Sequence, residues 1–214
     1  MYITTDMIFM FVSILAGCSL FFRPNIPLHL KIFPVFLLIT IVNELIAGYL
    51  ITHNQHTTLL YNIYNVVHFG FYIYLLSNLL YSVKAKKIGL NIFWGFIGIM
   101  LLNLFFYQGT GTYNSITYAL GCLLIVGFCV YYFFELFRLK QFVSLLREPS
   151  FWIITGLLFY FSCTFPLVTT VNFMTKVPDL ILYNLQSFIL LMNIFMYSLF
   201  TIAFLCQIPI RKYI

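Results

Sequence analysis

Charge is what this chain has least of. Of its 214 residues, 11 are Lys or Arg and 5 are Asp or Glu, 7% in all. A water-facing domain carries about 25% charged residues, and a chain this poor in them cannot cover a soluble surface. That excludes an ordinary soluble enzyme, a disordered chain and a soluble nucleic-acid binder. Cysteines are few and odd in number: Cys18, Cys122, Cys129, Cys163 and Cys206, none in a CxxC. All lie in apolar stretches, where cysteine behaves as a small hydrophobe, so neither a disulfide framework nor a zinc site is expected. There is no GxSxG, no HExxH and no P-loop, and so no sign of those hydrolytic or nucleotide chemistries. The last apolar stretch has no lysine to carry a retinal Schiff base. No cofactor is expected.

What is present is apolar surface: 63% hydrophobic residues, 21% aromatic and a mean hydropathy of +1.01. A helix needs roughly 20 mostly apolar residues to cross a bilayer core about 30 Å thick. Seven stretches meet that length: 3–22, 32–52, 59–81, 88–107, 115–137, 150–170 and 181–206. They run continuously rather than alternating, which argues against a β-barrel. The expectation is an all-α, multi-pass membrane protein. It would be one seven-helix domain over 1–214, with little left for a soluble domain.

The basic residues orient it. Arg23, Lys31, Lys84, Lys86, Lys87, Arg138, Lys140, Arg147, Arg211 and Lys212 fall on one side of seven spans, and Lys176 alone on the other. Basic loops stay cytoplasmic, which puts the N-terminus outside and the C-terminus inside. The +6 net charge then answers to topology and anionic lipid rather than to nucleic acid. Leu15-Ala16-Gly17-Cys18 resembles a lipoprotein cleavage box, but no base precedes it, so it reads as a small-residue packing patch. The Arg138–Pro149 loop, with Phe142, Val143, Leu145 and Leu146, reads either as an amphipathic segment on the inner leaflet or as an extension of the fifth helix.

Short words recur in order. Gly17-Cys18 matches Gly121-Cys122, the approach to Pro34 matches that to Pro149, and Leu60-Tyr61-Asn62 matches Leu182-Tyr183-Asn184. This is the layout of two three-helix units joined by the fourth helix, a 3+1+3 repeat of the kind some transporters use.

Ionisable groups at membrane depth cost at least about 2.5–3.5 kcal/mol, so Glu44, His68 and Glu135 stand out. At 1.5 Å per residue, Glu44 and His68 lie about 18 and 16 Å from the cytoplasmic edge, level with Asn43 and Asn193. A Glu44–His68 pair is geometrically open to them. Tyr61, Asn65, His68 and Tyr72 follow i, i+4, i+7, i+11 and share a helix face. Gln186, Asn193 and Tyr197 repeat that spacing, and Thr155, Ser162 and Thr169 lie seven apart. Turned inward, these faces would line an outward cleft with Glu44 and His68 at its floor, either as a ligand or proton site or as interhelical hydrogen bonding. Glu135 reads as an i, i+3 ion pair with Arg138. His53 and His56 could share a metal, but no third ligand is near, so no metal is expected. Asp6 and Asp179 lie at the outer ends, so an aspartyl-protease pair is not expected.

Asn43-Glu44-Leu45-Ile46-Ala47-Gly48-Tyr49, Tyr61-Asn62-Ile63-Tyr64-Asn65 and Ala203-Phe204-Leu205-Cys206 resemble small seven-helix membrane proteins of Bacteroidota. These are similar to the free-standing membrane input regions of sensor histidine kinases. The resemblance implies a bacterial inner membrane location and a sensor role, and it carries no established site. Unlike a sensor kinase, this chain shows no effector domain. The leading expectation is a non-enzymatic sensor or transducer that binds a small or amphipathic ligand among the helices and acts through a membrane partner. A small-solute or proton-coupled transporter using Glu44 is the second. A lipid-modifying enzyme with Glu44 and His68 as acid and base is the third.

Overall fold

Backbone groups in an apolar run have no water to bond, so they close their hydrogen bonds within helices. The computed structural model describes residues 4–22, 26–109, 111–138, 145–173 and 179–206, and among these there is no strand. The helices are α1 (Thr5–Cys18), α2 (Leu28–Thr52), α3 (Thr58–Leu79), α4 (Val83–Leu102), α5 (Ser115–Arg138), α6 (Pro149–Phe173) and α7 (Asp179–Cys206). Of the ten basic residues behind the orientation, Arg23, Lys140, Arg211 and Lys212 lie outside the described residues, as do the opposing Lys176 and residues 139–144 of the 138–149 loop.

Six helices, α2 to α7, are long and apolar enough to cross a membrane. The first stretch departs from the 3–22 expectation, because α1 has 14 residues and reaches only about 21 Å at 1.5 Å per residue. It ends where the backbone tightens. The Ser19, Leu20 and Phe21 N–H groups donate to Ala16, Gly17 and Cys18 carbonyls, and the Ser19 hydroxyl donates to Ala16 O at 2.6 Å. Such i→i−3 bonds close a helix without any change in hydropathy. α2 ends at Thr52, and just past it Asn54, with a φ of 54°, lets the Gln55 N–H reach Leu50 O, a left-handed helix end that asparagine tolerates.

Cross-chain hydrogen bonds define the two ends of the bundle. At the end where α3 and α5 begin (the upper end), Asn62 grips the turn before α5. At the lower end, Glu135 of α5 accepts the Tyr81 N–H at 2.7 Å and the Ser82 N–H at 3.2 Å. This corrects the expected Glu135–Arg138 pair: Arg138 sits over the Phe134 ring at 4.0 Å. The carboxylate is instead placed at the start of α4, where negative charge complements the positive end of the helix dipole. For the same reason α4 begins five residues before the expected 88.

The interior of the lower half is aromatic. Phe33 lies 4.8 Å from Phe200 and 5.3 Å from Phe204, and Phe36 stacks on Phe71 at 4.0 Å. Close approach needs glycine here: a Cβ at Gly17 would stand 2.6 Å from Pro34 Cγ, and one at Gly121 2.5 Å from the Phe69 ring. The outer surface is apolar too, with Phe22, Phe106 and Phe137 among its most exposed side chains.

Candidate functional site

α1 runs alongside α7. Its Asp6 Oδ2 accepts a bond from Asn193 Nδ2 at 3.1 Å, and its Gly17 lies against Phe204. Asn193 is 13 residues from Cys206, so α1 begins about 20 Å above the lower end of α7. α7 continues for 14 residues beyond that level. At the level of that contact a cavity of about 310 Å³ opens.

Each helix contributes to the cavity from a register its sequence sets. α2 brings Thr40 and Glu44, one turn apart. α3 brings Tyr61, Tyr64, Asn65 and His68, successive positions of one face. α1 gives Asp6 and Met10, and α7 gives Ile189, Asn193, Met196 and Tyr197. Tyr160 of α6, Tyr118 of α5 and Tyr113 of the preceding turn complete the wall. Of the expected site residues, Glu44, His68, Asn65, Tyr61 and Asn193 thus face one space. Asn43 and Tyr72 do not. Asn43 is buried with Nδ2 making no hydrogen bond of ordinary geometry, and Tyr72 packs beneath His68 at 4.8 Å, edge to face. Thr155 and Thr169 of the anticipated α6 stripe instead bond the carbonyls four residues back, and Gln186 is exposed.

Hydrogen bonds pin the walls. Tyr64 Oη donates to Thr40 Oγ1 at 2.9 Å, and Thr40 donates on to Phe36 O at 3.1 Å. Asn65 Nδ2 donates to Tyr113 Oη at 3.3 Å. Asn62, one residue off that face, donates Nδ2 to Thr112 O at 2.8 Å and accepts the Asn114 N–H on Oδ1 at 3.0 Å. It therefore holds the backbone on both sides of Tyr113. Behind it, Asn103, in a π turn at Asn103–Tyr107, bonds Gln108 at 2.7 Å. Burial pushes the Tyr113 hydroxyl up to about 12, so it stays protonated in the neutral range.

Glu44 and Asp6 are the carboxyl groups of the cavity, and among the described lining residues there is no lysine or arginine. Glu44 accepts one long bond, from Tyr61 Oη at 3.5 Å; Asp6 has Asn193 and the Met7 N–H. The two carboxyl groups line the same cavity. His68 makes no hydrogen bond to Glu44. Its Nδ1 is buried without a partner, and the ring lies among Phe36, Tyr64, Phe69, Tyr72 and Phe161. Sequence reasoning missed Asp6, because it took the first stretch as a full span with Asp6 at its end. It also missed Tyr113, whose position depends on a turn.

The fold defines a class: an all-helical bundle with the make-up of a multi-pass membrane protein. No family model, curated protein or solved structure matches the chain.

Proposed function

We propose that this protein is a non-enzymatic integral membrane protein of sensor or transducer type that binds a small or amphipathic ligand in the cavity between its helices. The observation behind the reading is the cavity itself. It has polar walls in an otherwise apolar bundle, and its volume is at the lower end of the range for ligand pockets, about 300–1,000 Å³. It is held by a hydrogen-bonded turn at the upper end and an aromatic layer below. In this reading the chain lies in the bacterial inner membrane, with the upper end outside and the lower, lysine-bearing end cytoplasmic. Occupancy is passed to a membrane partner through the helix faces.

The test is purification of the tagged protein and its Glu44→Gln variant in mild detergent, with mass spectrometry of co-eluting protein and lipid. A stoichiometric membrane-protein partner held by the wild type and lost from the variant is the expected result. A monodisperse protein with no partner and no bound small molecule overturns the reading.

A second reading, a proton-coupled carrier, is favoured by one observation: Asp6 and Glu44 face the same space. Two carboxyl groups on one space can hold a proton or a cation between them. The 3+1+3 repeat would add to this reading. It requires flux in proteoliposomes that Glu44→Gln abolishes while the protein remains folded. The lipid-modifying alternative draws least support, since Glu44 and His68 make no hydrogen bond to each other.

A further inference from the structure

We infer that the cavity selects a small organic cation, an alkylammonium or quaternary ammonium group, seated between Asp6 and Glu44 with its alkyl groups against tyrosine rings. This rests on the proposal that the cavity is a ligand site, and adds the class of ligand.

Three independent features agree. The first is charge. Asp6 and Glu44 line the cavity, and among the described lining residues there is no lysine or arginine. Both carboxylates have only neutral donors as partners. Two carboxylates on one space attract a cation and repel an anion. The second is the wall. Tyr61, Tyr64, Tyr113, Tyr118, Tyr160 and Tyr197 surround one space, and an aromatic cage is how proteins hold quaternary and alkylated ammonium groups. The third is an unpartnered atom: His68 lines the same space and its Nδ1 is buried with no hydrogen bond, an acceptor for an alkylammonium N–H or for a hydroxyl carried by a quaternary ligand.

The same features argue against a bare metal ion. A hard divalent cation takes six or more oxygens, and among the described residues no three of His, Cys, Asp and Glu gather. The lining is also too rich in ring surface, and the volume too large, for a lone ion.

The test uses the full-length protein in mild detergent and four probes of nearly one shape: choline, tetramethylammonium, the uncharged carbon isostere 3,3-dimethylbutan-1-ol, and pivalate. Thermal protection is measured against concentration. Choline and tetramethylammonium should protect saturably, with the alcohol at least about tenfold weaker, as one cation–π contact and one ion pair imply, and pivalate inactive. Asp6→Asn and Glu44→Gln should each weaken the cations about tenfold or more and leave the alcohol unchanged. Tyr160→Phe should keep binding, because the ring face remains, and Tyr160→Leu should lose it. Since the probes are compared on the wild type, a variant that fails to fold does not void the result. Equal protection by the alcohol or by pivalate would overturn the cation inference and leave a ligand cavity standing. Protection by sodium ion or by acidification alone, lost in Glu44→Gln, would overturn it in favour of an inorganic cation or a proton. If no probe protects and nothing co-purifies with the protein, the ligand-site proposal fails as well.

Discussion

Asn62→Ala tests whether the upper wall of the cavity is built as described. Asn62 is fully buried and makes two bonds to the turn, at 2.8 Å to Thr112 O and 3.0 Å from the Asn114 N–H. The partners differ in what they do when released. Thr112 is exposed, so its carbonyl can turn to water, whereas Asn114 is 1% exposed and its N–H is left buried. A net hydrogen bond is worth about 1 kcal/mol and a buried orphan costs about 1–3 kcal/mol. The variant should therefore lose about 2–4 kcal/mol, or roughly 4–16 °C in thermal midpoint for a chain of this size. Hydrogen exchange in the segment from Gln108 to Ile116 should rise, and choline protection should weaken, because Tyr113 sits between the two gripped residues. Asn65→Ala is the contrast. It removes only the 3.3 Å bond to Tyr113 Oη, so it should cost about 1 kcal/mol and leave exchange in the turn unchanged. Equal exchange in wild type and Asn62→Ala would refute the idea that this side chain holds the turn.

Gly121→Ala places a Cβ 2.5 Å from the Phe69 ring, which is itself wedged against Tyr118 at 5.2 Å and Phe96 at 6.1 Å. Overpacking of this kind costs about 1–3 kcal/mol, seen as a lower midpoint in detergent, and an unchanged midpoint would mean the helices part freely. Glu135→Ala strips the carboxylate from the Tyr81 and Ser82 N–H groups and should cost about 1–3 kcal/mol; Glu135→Gln, which keeps one acceptor, should recover part of it in the same melt. Tyr113 supplies a pH dependence. Its folded value of about 12 stands above the ordinary 10.0, so its contribution is complete below pH 10 and is lost as pH rises towards 12. Tyr113→Phe should flatten that part of the midpoint–pH curve, and an unaltered curve counts against burial of the hydroxyl.

Apolar run length marked the long helices, because the membrane imposes it: α2, α3 and α5 to α7 begin and end within a few residues of expectation. Ends set by hydrogen bonds rather than hydropathy were not legible. α1 stops at Cys18 through carbonyls taken up locally, and α4 starts at Val83 with a carboxylate supplied from α5, 52 positions away in sequence. In the cavity, the period along α3 identified Tyr61, Asn65 and His68 as one face. Tyr72 obeys the same period but lies one turn below the space, among rings, since periodicity gives direction and not height. Asp6 was hidden for the same reason: its depth follows from where α1 sits against α7, which no local pattern records.

The aromatic layer beneath the cavity separates the two leading readings. Below His68 the path to the lower end meets Phe36 stacked on Phe71 at 4.0 Å, Tyr72 edge-on to Phe36 at 5.2 Å, then Phe33 against Phe200 and Phe204. Each such ring pair is worth about 0.5–1.5 kcal/mol beyond its buried area. A carrier must part several of them in every cycle, and α2 cannot swing away without lifting Pro34 off Gly17, where contact is already as close as a glycine allows. A sensor has no such requirement: a ligand entering at the upper end needs only to shift α2 and α3 about the layer, with those rings as the fixed point. The arrangement of the lower half therefore sets the carrier reading a cost in every cycle that the sensor reading does not carry.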